Sequence, residues 1–359
     1  MALGYHYKHR NRCNHQRLQS RVIHFTQTHH TVGRMNESHD WSETTTIDYR
    51  KLQALLCNRS VGILVVGHGT RNKLGSAQLL RLVEHIRELI PQANVSGCFL
   101  ELAEPDIATG VQCLHEMGCT SMVVVPVLLF TAAHAKADIP DAVQEHATRF
   151  GVHVLGQTPS LGTHPRVLEL SKTRFEEVVR LPLRSICPEG GCADGSSPST
   201  RCKVYQERPE RCTLQNWLEG RQAASASPFG KIALAMVGRG TSDVSALEHM
   251  RELTRLRVES AKNGTKQVGV QWSETGFFAG GRPTVDELLD GASQSGCDSV
   301  IVQPHLLFEG ELMDQLREKV RTRRENGGGP AWWITRSLGA DPKLAEVFVG
   351  LLMDQSAQW

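Results

Sequence analysis

The sequence is 359 residues long, which is enough for two domains with separate cores, since domains usually contain about 100–200 residues. Hydrophobic residues make up 40% of the chain and charged residues 22%, as in ordinary globular proteins. The net charge of +2 gives no overall attraction to nucleic acid, and no segment approaches the roughly 20 apolar residues that span a bilayer. The N-terminus lacks the apolar core of a secretory signal. We therefore expect a cytoplasmic protein that binds neither nucleic acid nor a membrane.

Residues 1–45 are polar, rich in histidine and without hydrophobic periodicity. We interpret them as a disordered tail. A histidine-rich tract can hold metal, so metal storage is one hypothesis for this segment. The alternatives are that Met35 is the true start of the protein, or that the tail is an extension without a selected role.

A regular alternation of strands and helices begins at Val61. The run Val61–Val66 is continuously apolar, which is typical of a strand covered on both faces. A helix is predicted over Ser76–Leu89, and Pro105 is expected in the first turn of the next helix, where its missing N–H is not needed. The remaining predicted elements are the strands Val95–Leu100, Met122–Leu129 and Val152–Leu155 and the helices Lys136–Phe150 and Pro165–Leu181. The pattern predicts an α/β domain over residues 46–181, with a small parallel sheet flanked by helices.

The last part of the chain repeats the first. The segment IALAMVGRGTSD (232–243) matches ILVVGHGTRN (63–72), and CDSVIVQPHLLFEGEL (297–312) matches CTSMVVVPVLLFTAAH (119–134). Between them, GFFAGGRPTVDELLDGA (276–292) matches CFLELAEPDIATGV (98–111), aligned on the prolines. The shared order indicates an internal duplication, so residues 229–359 are predicted to form a second, homologous α/β domain that faces the first. We expect a monomer whose two domains are related to each other like the two subunits of a dimer.

Residues 182–228 interrupt this pattern with a segment rich in Pro, Gly, Ser and Cys, which we interpret as an insert or linker. Its four cysteines are Cys187, Cys192, Cys202 and Cys212. Four thiols within a short segment could hold an iron–sulfur cluster or a structural zinc ion. The alternative is a set of unpaired thiols in a flexible insert.

The two halves differ at three positions that carry ionisable groups in the first half. The aligned pairs are His68 and Arg239, Glu101 and Ala279, and His134 and Leu312. The three first-half residues each follow a predicted strand, and the carboxyl ends of parallel strands are where open α/β sheets bind ligands. Two imidazoles and a carboxylate can hold a divalent metal with open coordination positions, and a neutral imidazole can also accept a proton. The sequence therefore predicts a metal site that is also competent for proton transfer.

Each of these residues also has a plainer interpretation. His68 could cap a helix, His134 could be an ordinary loop histidine, and Glu101 could pair with a lysine. The same loops carry the cations Arg71, Lys73, Lys136 and Arg239. These side chains could bind a ligand with several carboxylates, or they could belong to a solvated surface.

The stretches VGHGTRN, CFLELAEPDI and VVVPVLLFTAAHAKADIP occur in the order and spacing of a known family. In these segments the sequence resembles the sirohydrochlorin chelatases, a family of class II tetrapyrrole chelatases, and in its two-domain form it is similar to the long members. The resemblance implies insertion of Fe²⁺ or Co²⁺ into sirohydrochlorin without an external energy source. It implies a chelatase-like fold with the tetrapyrrole held in the cleft between the two lobes, and metal-binding and catalytic roles for His68, Glu101 and His134. Among the cations of the same loops, we expect Arg71, Lys136 and Arg239 to contact the substrate. Because the second half lacks the motif, only one of the two pseudo-symmetric sites is expected to be active.

Two other functions were considered. Phosphohistidine phosphatases need an arginine directly before the histidine, and Gly67 occupies that place, which disfavours a phosphatase. A non-catalytic carrier of metal or tetrapyrrole would account for the histidine-rich tail and the cysteines. It would not explain why three ionisable residues recur at three strand ends.

Overall fold

The computed structural model describes residues 60–130, 133–180, 229–262, 269–326 and 329–355. The histidine-rich tail with Met35, and the insert with its four cysteines, lie outside these residues. We call residues 60–180 the first lobe and residues 229–355 the second lobe. No helix in the described ranges is long and apolar enough to cross a membrane.

Strands and helices alternate strictly in the described part of the first lobe, as predicted. The strands are β1 (Val61–Gly67), β2 (Asn94–Phe99), β3 (Ser121–Pro126) and β4 (His153–Gln157). The helices are α1 (Lys73–Leu89), α2 (Ile107–Glu116), α3 (Ala133–Phe150) and α4 (Pro165–Arg180). The four strands form one parallel sheet in the order β2-β1-β3-β4, which places β1 at its centre. The predicted α/β class is confirmed.

The second lobe repeats this arrangement. Its strands are β5 (Ile232–Gly238), β6 (Val270–Phe277), β7 (Ser299–Pro304) and β8 (Ala331–Ile334). Its helices are α5 (Val244–Lys262), α6 (Val285–Gln294), α7 (Glu311–Asn326) and α8 (Pro342–Gln355). The sheet order is β6-β5-β7-β8, again fully parallel and with the same connectivity as the first lobe. The structure thus confirms the internal duplication.

Three predicted helix starts were wrong, and among them α3 begins at Ala133 instead of Lys136. Helix α1 begins at Lys73 instead of Ser76, because the Asn72 side chain accepts hydrogen bonds from the backbone N–H groups of Leu74 and Gly75 and so caps the helix earlier. Pro105 does not stand in the first turn of α2. It precedes Asp106, whose carboxylate accepts a hydrogen bond from the Thr109 N–H and caps the helix.

The central strands are buried along their whole length, which explains their continuous apolar sequence. All residues of β1 and all residues of β5 are buried. On one face of the first sheet, Leu64 and Val66 pack against Ile107, Val111 and Leu114 of α2. Full burial of a Leu or Val side chain contributes roughly 1.5–3 kcal/mol to the stability of the fold. The packing of these side chains therefore fixes the position of the first sheet against α2.

The last helix of each lobe packs against the other lobe. Helix α4 lies against α5 and β7, and its Phe175 and Val178 belong to the same core cluster as Ile232 and Leu234. Helix α8 lies against α1 and α4. A buried polar contact also joins the two lobes: the Gln303 side-chain amide of β7 donates to the backbone oxygen of Ser171 in α4 at 2.7 Å. The two lobes are therefore joined through packed interiors and not only through the chain between them.

Candidate functional site

The site is built from the loops that follow β1 and β2, which run side by side at the carboxyl edge of the first sheet. The Leu100 N–H donates to the Gly67 carbonyl at 2.8 Å, and the Glu101 N–H donates to the His68 carbonyl at 3.0 Å. These bonds extend the pairing of the two strands by one step beyond the sheet. They hold His68 and Glu101 opposite each other on adjacent loops.

Gly69 makes this close approach possible. It has a φ of 101°, and a Cβ added there would lie 1.7 Å from the Glu101 carbonyl oxygen. Gly240 occupies the same place in the second lobe, with a φ of 82° and an added Cβ 1.8 Å from the Ala279 oxygen. Glycine is therefore required after His68, because any side chain there would push the two loops apart.

The functional groups of His68 and Glu101 meet. The His68 Nε2 and the Glu101 Oε1 are 3.3 Å apart, and the two side chains are 41% and 52% exposed. The pairing of Glu101 with a lysine, considered from the sequence, is thus replaced by a pairing with His68. A half-exposed imidazole and carboxylate remain accessible to an incoming cation or ligand.

The surroundings of His68 favour its neutral form. Partial burial lowers the pKa of His68, and the positive charge of Arg239 from the second lobe lowers it further. The carboxylates of Glu101 and Asp138 act in the opposite direction, but the pKa stays below its usual value. A neutral imidazole at neutral pH has a free lone pair, which it needs both to bind a metal and to accept a proton.

Sequence reasoning missed Asp138. It lies on α3, one helical turn after His134, so the two residues share a helix face. That i, i+4 spacing was a signal in the sequence. Its effect on the pKa of His68 shows that a second carboxylate acts on the site from α3.

His134 is the second residue of α3, the helix that follows β3. Leu312 is likewise the second residue of α7, so the two positions are structurally equivalent. The side chains of His134 and Lys136 lie outside the described part of the structure. Among the described side chains, no group of three His, Cys, Asp or Glu residues is arranged to hold a metal ion. His134 as third metal ligand and Lys136 as a substrate contact thus stay predictions.

The second lobe keeps the backbone of the site without its chemistry. The Ala279 N–H donates to the Arg239 carbonyl at 3.1 Å, as Glu101 does to His68. Arg239 and Ala279 supply neither an imidazole nor a carboxylate. The imidazole–carboxylate pair is therefore confined to the first lobe at this structural position.

The predicted substrate cations are exposed where the structure describes them. Arg71 and Lys73 lie at the end of β1 and the start of α1, and Arg239 follows β5. Because the charge of Arg239 lowers the pKa of His68, this guanidinium lies within electrostatic range of the His68–Glu101 pair. The binding of a substrate by Arg71 and Arg239 stays a prediction.

The influence of Arg239 on His68 can be measured directly. Replacement of Arg239 by glutamine removes a positive charge that disfavours the imidazolium ion, so we expect the pKa of His68 to rise. The Asp138→Asn variant should lower the same pKa, because it removes a stabilising negative charge. NMR titration of the His68 ring protons tests both, with Arg255→Gln on α5 as a control. Movement of the pKa in the same direction in the Arg239 and Asp138 variants would contradict this electrostatic account.

Comparisons with known proteins agree with this architecture. A family model described as CbiX matches residues 62–178 and 233–354. The chain is 28% identical over 259 residues to a sirohydrochlorin ferrochelatase of Priestia megaterium, covering 72% of this chain and 77% of that protein. It is 26% identical over 287 residues to a sirohydrochlorin cobaltochelatase of the same organism, covering 79% and 76%. The structure of SirB from Bacillus subtilis with Fe³⁺ superposes with a TM-score of 0.59 at 23% identity, covering 83% of this chain and 96% of that one. This last likeness shows a shared fold.

Proposed function

Because the chain belongs to the CbiX family, we propose that it inserts a divalent metal, Fe²⁺ or Co²⁺, into sirohydrochlorin and releases two protons. One observation carries the proposal: the His68 and Glu101 side chains lie 3.3 Å apart at the ends of two adjacent parallel strands. The relatives named as ferrochelatase and cobaltochelatase align over about three quarters of their own length, so the proposal concerns the whole reaction.

The residues divide the reaction into two tasks. We assign metal capture to His68 and Glu101 together with His134, because a set of two imidazoles and a carboxylate leaves coordination positions open for the tetrapyrrole nitrogens. Two pyrrole N–H protons must leave as the metal enters. As the metal passes from His68 to the macrocycle, the freed lone pair of the ring can accept one of them, and the neighbouring carboxylates Glu101 and Asp138 stabilise the resulting imidazolium ion. The second proton passes to water, to which the half-exposed pair is open.

Binding of the substrate is assigned to cations around this pair. Sirohydrochlorin carries several carboxylates, and guanidinium groups bind carboxylates through two parallel hydrogen bonds. Arg71 and Lys136 from the first lobe and Arg239 from the second would hold the rim of the macrocycle. The second lobe would then contribute charge and shape to a reaction whose metal ligands belong to the first.

The test is a metal-insertion assay under anaerobic conditions. Purified full-length protein is mixed with sirohydrochlorin and Fe²⁺, Co²⁺ or Ni²⁺, and metallation is followed by absorbance. We expect acceleration over the protein-free reaction with Fe²⁺ or Co²⁺, and the ranking of the three rates identifies the preferred metal. Binding of sirohydrochlorin without any acceleration would favour a carrier and overturn the proposal.

The cysteine-rich insert, residues 182–228, is the subject of a separate proposal. We propose that Cys187, Cys192, Cys202 and Cys212 hold an iron–sulfur cluster or a zinc ion, on the basis of their number within a short segment. Anaerobic purification followed by an absorbance spectrum and metal analysis tests this. A colourless protein without bound iron or zinc would contradict it. The expected monomeric state is tested on the same sample by light scattering.

A further inference from the structure

Leu102 has an unusual backbone and an unusual environment. With a φ of 62°, it is the one residue other than glycine that adopts a left-handed conformation in the described ranges. This conformation is unfavourable for leucine, because its Cβ crowds the following carbonyl oxygen. Leu102 is also 50% exposed, so much of its apolar side chain gains nothing from burial. Two unfavourable features thus coincide directly after Glu101.

The second lobe builds the same turn without these costs. Gly280 is aligned with Leu102 and has a φ of 66°. A Cβ on Gly280 would lie 2.3 Å from the Thr241 carbonyl oxygen, so glycine is required there. In the first lobe the equivalent oxygen, that of Thr70, accepts a hydrogen bond from the Ser76 hydroxyl at 3.1 Å, and a leucine is accommodated. The scaffold therefore works with glycine, and the leucine needs another explanation.

The position of Leu102 suggests that explanation. A metal that passes from His68 and Glu101 to the centre of a flat macrocycle requires the face of the ring to lie over these two side chains. Because Leu102 directly follows Glu101 and is 50% exposed, its side chain is available to the same face. The face of a tetrapyrrole is apolar, whereas its carboxylates lie at the rim, where Arg71 and Arg239 are expected to bind them.

We infer that Leu102 is a substrate-binding residue, which packs its exposed side chain against the face of the tetrapyrrole beside the His68–Glu101 pair. The inference rests on the proposed function and adds an apolar contact to it. A left-handed turn at this position presents a side chain that an extended backbone would direct elsewhere. The unfavourable conformation in the free protein is then compensated when the ring covers the leucine.

The experiment uses two variants of the full chain, Leu102→Gly and Leu102→Asn, since both residues tolerate the left-handed backbone. Leu89→Asn is the matched control, because Leu89 is 44% exposed and ends α1 at the opposite edge of the sheet. The dissociation constant of metal-free sirohydrochlorin is measured by absorbance titration, together with KM, kcat and the thermal midpoint.

We expect both Leu102 variants to raise the dissociation constant and KM by about fivefold, the effect of losing the burial of half a leucine side chain. The value of kcat should change little, the thermal midpoint of Leu102→Gly should not fall, and Leu89→Asn should match wild type. Unchanged binding in both Leu102 variants, in a wild-type protein that binds and metallates sirohydrochlorin, would overturn this inference alone. A wild-type protein that does neither would overturn the proposed function and this inference with it.

Discussion

Replacement of His68 by alanine is expected to lower the rate of metal insertion by about 10²- to 10⁴-fold, the usual effect of removing a general acid–base group. The His68 ring stands 3.3 Å from Glu101, and its pKa is lowered by burial and by Arg239, so it is available as a neutral ligand and base. The His134→Ala variant should lose at least about tenfold in rate, a lower bound set below that range. Initial rates at saturating sirohydrochlorin, with the preferred metal, measure both.

The control for this prediction is another histidine in the same lobe. His153 begins β4 at the amino edge of the sheet, away from the loops that carry the pair, and its side chain is exposed. The His153→Ala variant should retain wild-type rates. Glu101→Gln adds a finer test, because it preserves the shape of the side chain and removes its charge. Wild-type rates in both His68→Ala and His134→Ala would refute the assignment of the site.

The sequence pointed to the neighbouring positions of His68 and Glu101 because the duplication supplied an internal comparison. Two copies with one scaffold differ where one copy has acquired chemistry, and this singled out His68 and Glu101, whose side chains the structure brings together. The rule that ligands bind at the carboxyl ends of parallel strands then predicted that both residues lie at one edge of the sheet. The buried strands were equally predictable, since a continuous apolar run has few alternatives in a chain of this type.

Other features depend on contacts that a linear pattern does not contain. Asn72 caps α1 through its side chain, so the helix begins at Lys73. The apolar periodicity alone suggested a later start, because it does not register a capping hydrogen bond. The influence of Arg239 on the pKa of His68 arises across the two lobes. Helix α4 has the amphipathic sequence of any surface helix of its own lobe. The sequence does not reveal that α4 packs against α5 of the second lobe, because an apolar helix face does not identify its partner.

Replacement of Arg174 of α4 should weaken the folded state strongly. It is 1% exposed, and its guanidinium binds the carboxylates of Glu177 and Asp341 at 2.8 Å each and also donates to backbone oxygens of the second lobe. Removal of one partner from a buried ion pair costs about 3–5 kcal/mol, because the remaining groups lose their compensation. Since both carboxylates are partly solvated, we expect Arg174→Met to lower the free energy of unfolding by about 3 kcal/mol. Urea unfolding at pH 7 measures this loss.

Arg336 provides the matched control. It also binds Glu177 across the lobes, but it is 56% exposed, and exposed ion pairs contribute roughly 0–1 kcal/mol. Arg336→Met should therefore cost much less than Arg174→Met, and equal losses would contradict the role of burial.

The pH dependence of the stability lost in Arg174→Met supplies a second test. Burial raises the pKa of Asp341, but the hydrogen bonds from Arg174 and the Lys343 N–H, together with the positive charges of Arg174 and Arg336, outweigh burial and hold the pKa below its usual value. A carboxyl group whose folded pKa is depressed stabilises the protein above its unfolded pKa and loses this contribution as the pH falls through its folded pKa. The difference in unfolding free energy between wild type and Arg174→Met should thus narrow as the pH is lowered from 7 towards 3. A difference that stays constant over this range would show that Arg174 joins the lobes through its packing and its backbone hydrogen bonds, and not through its charge.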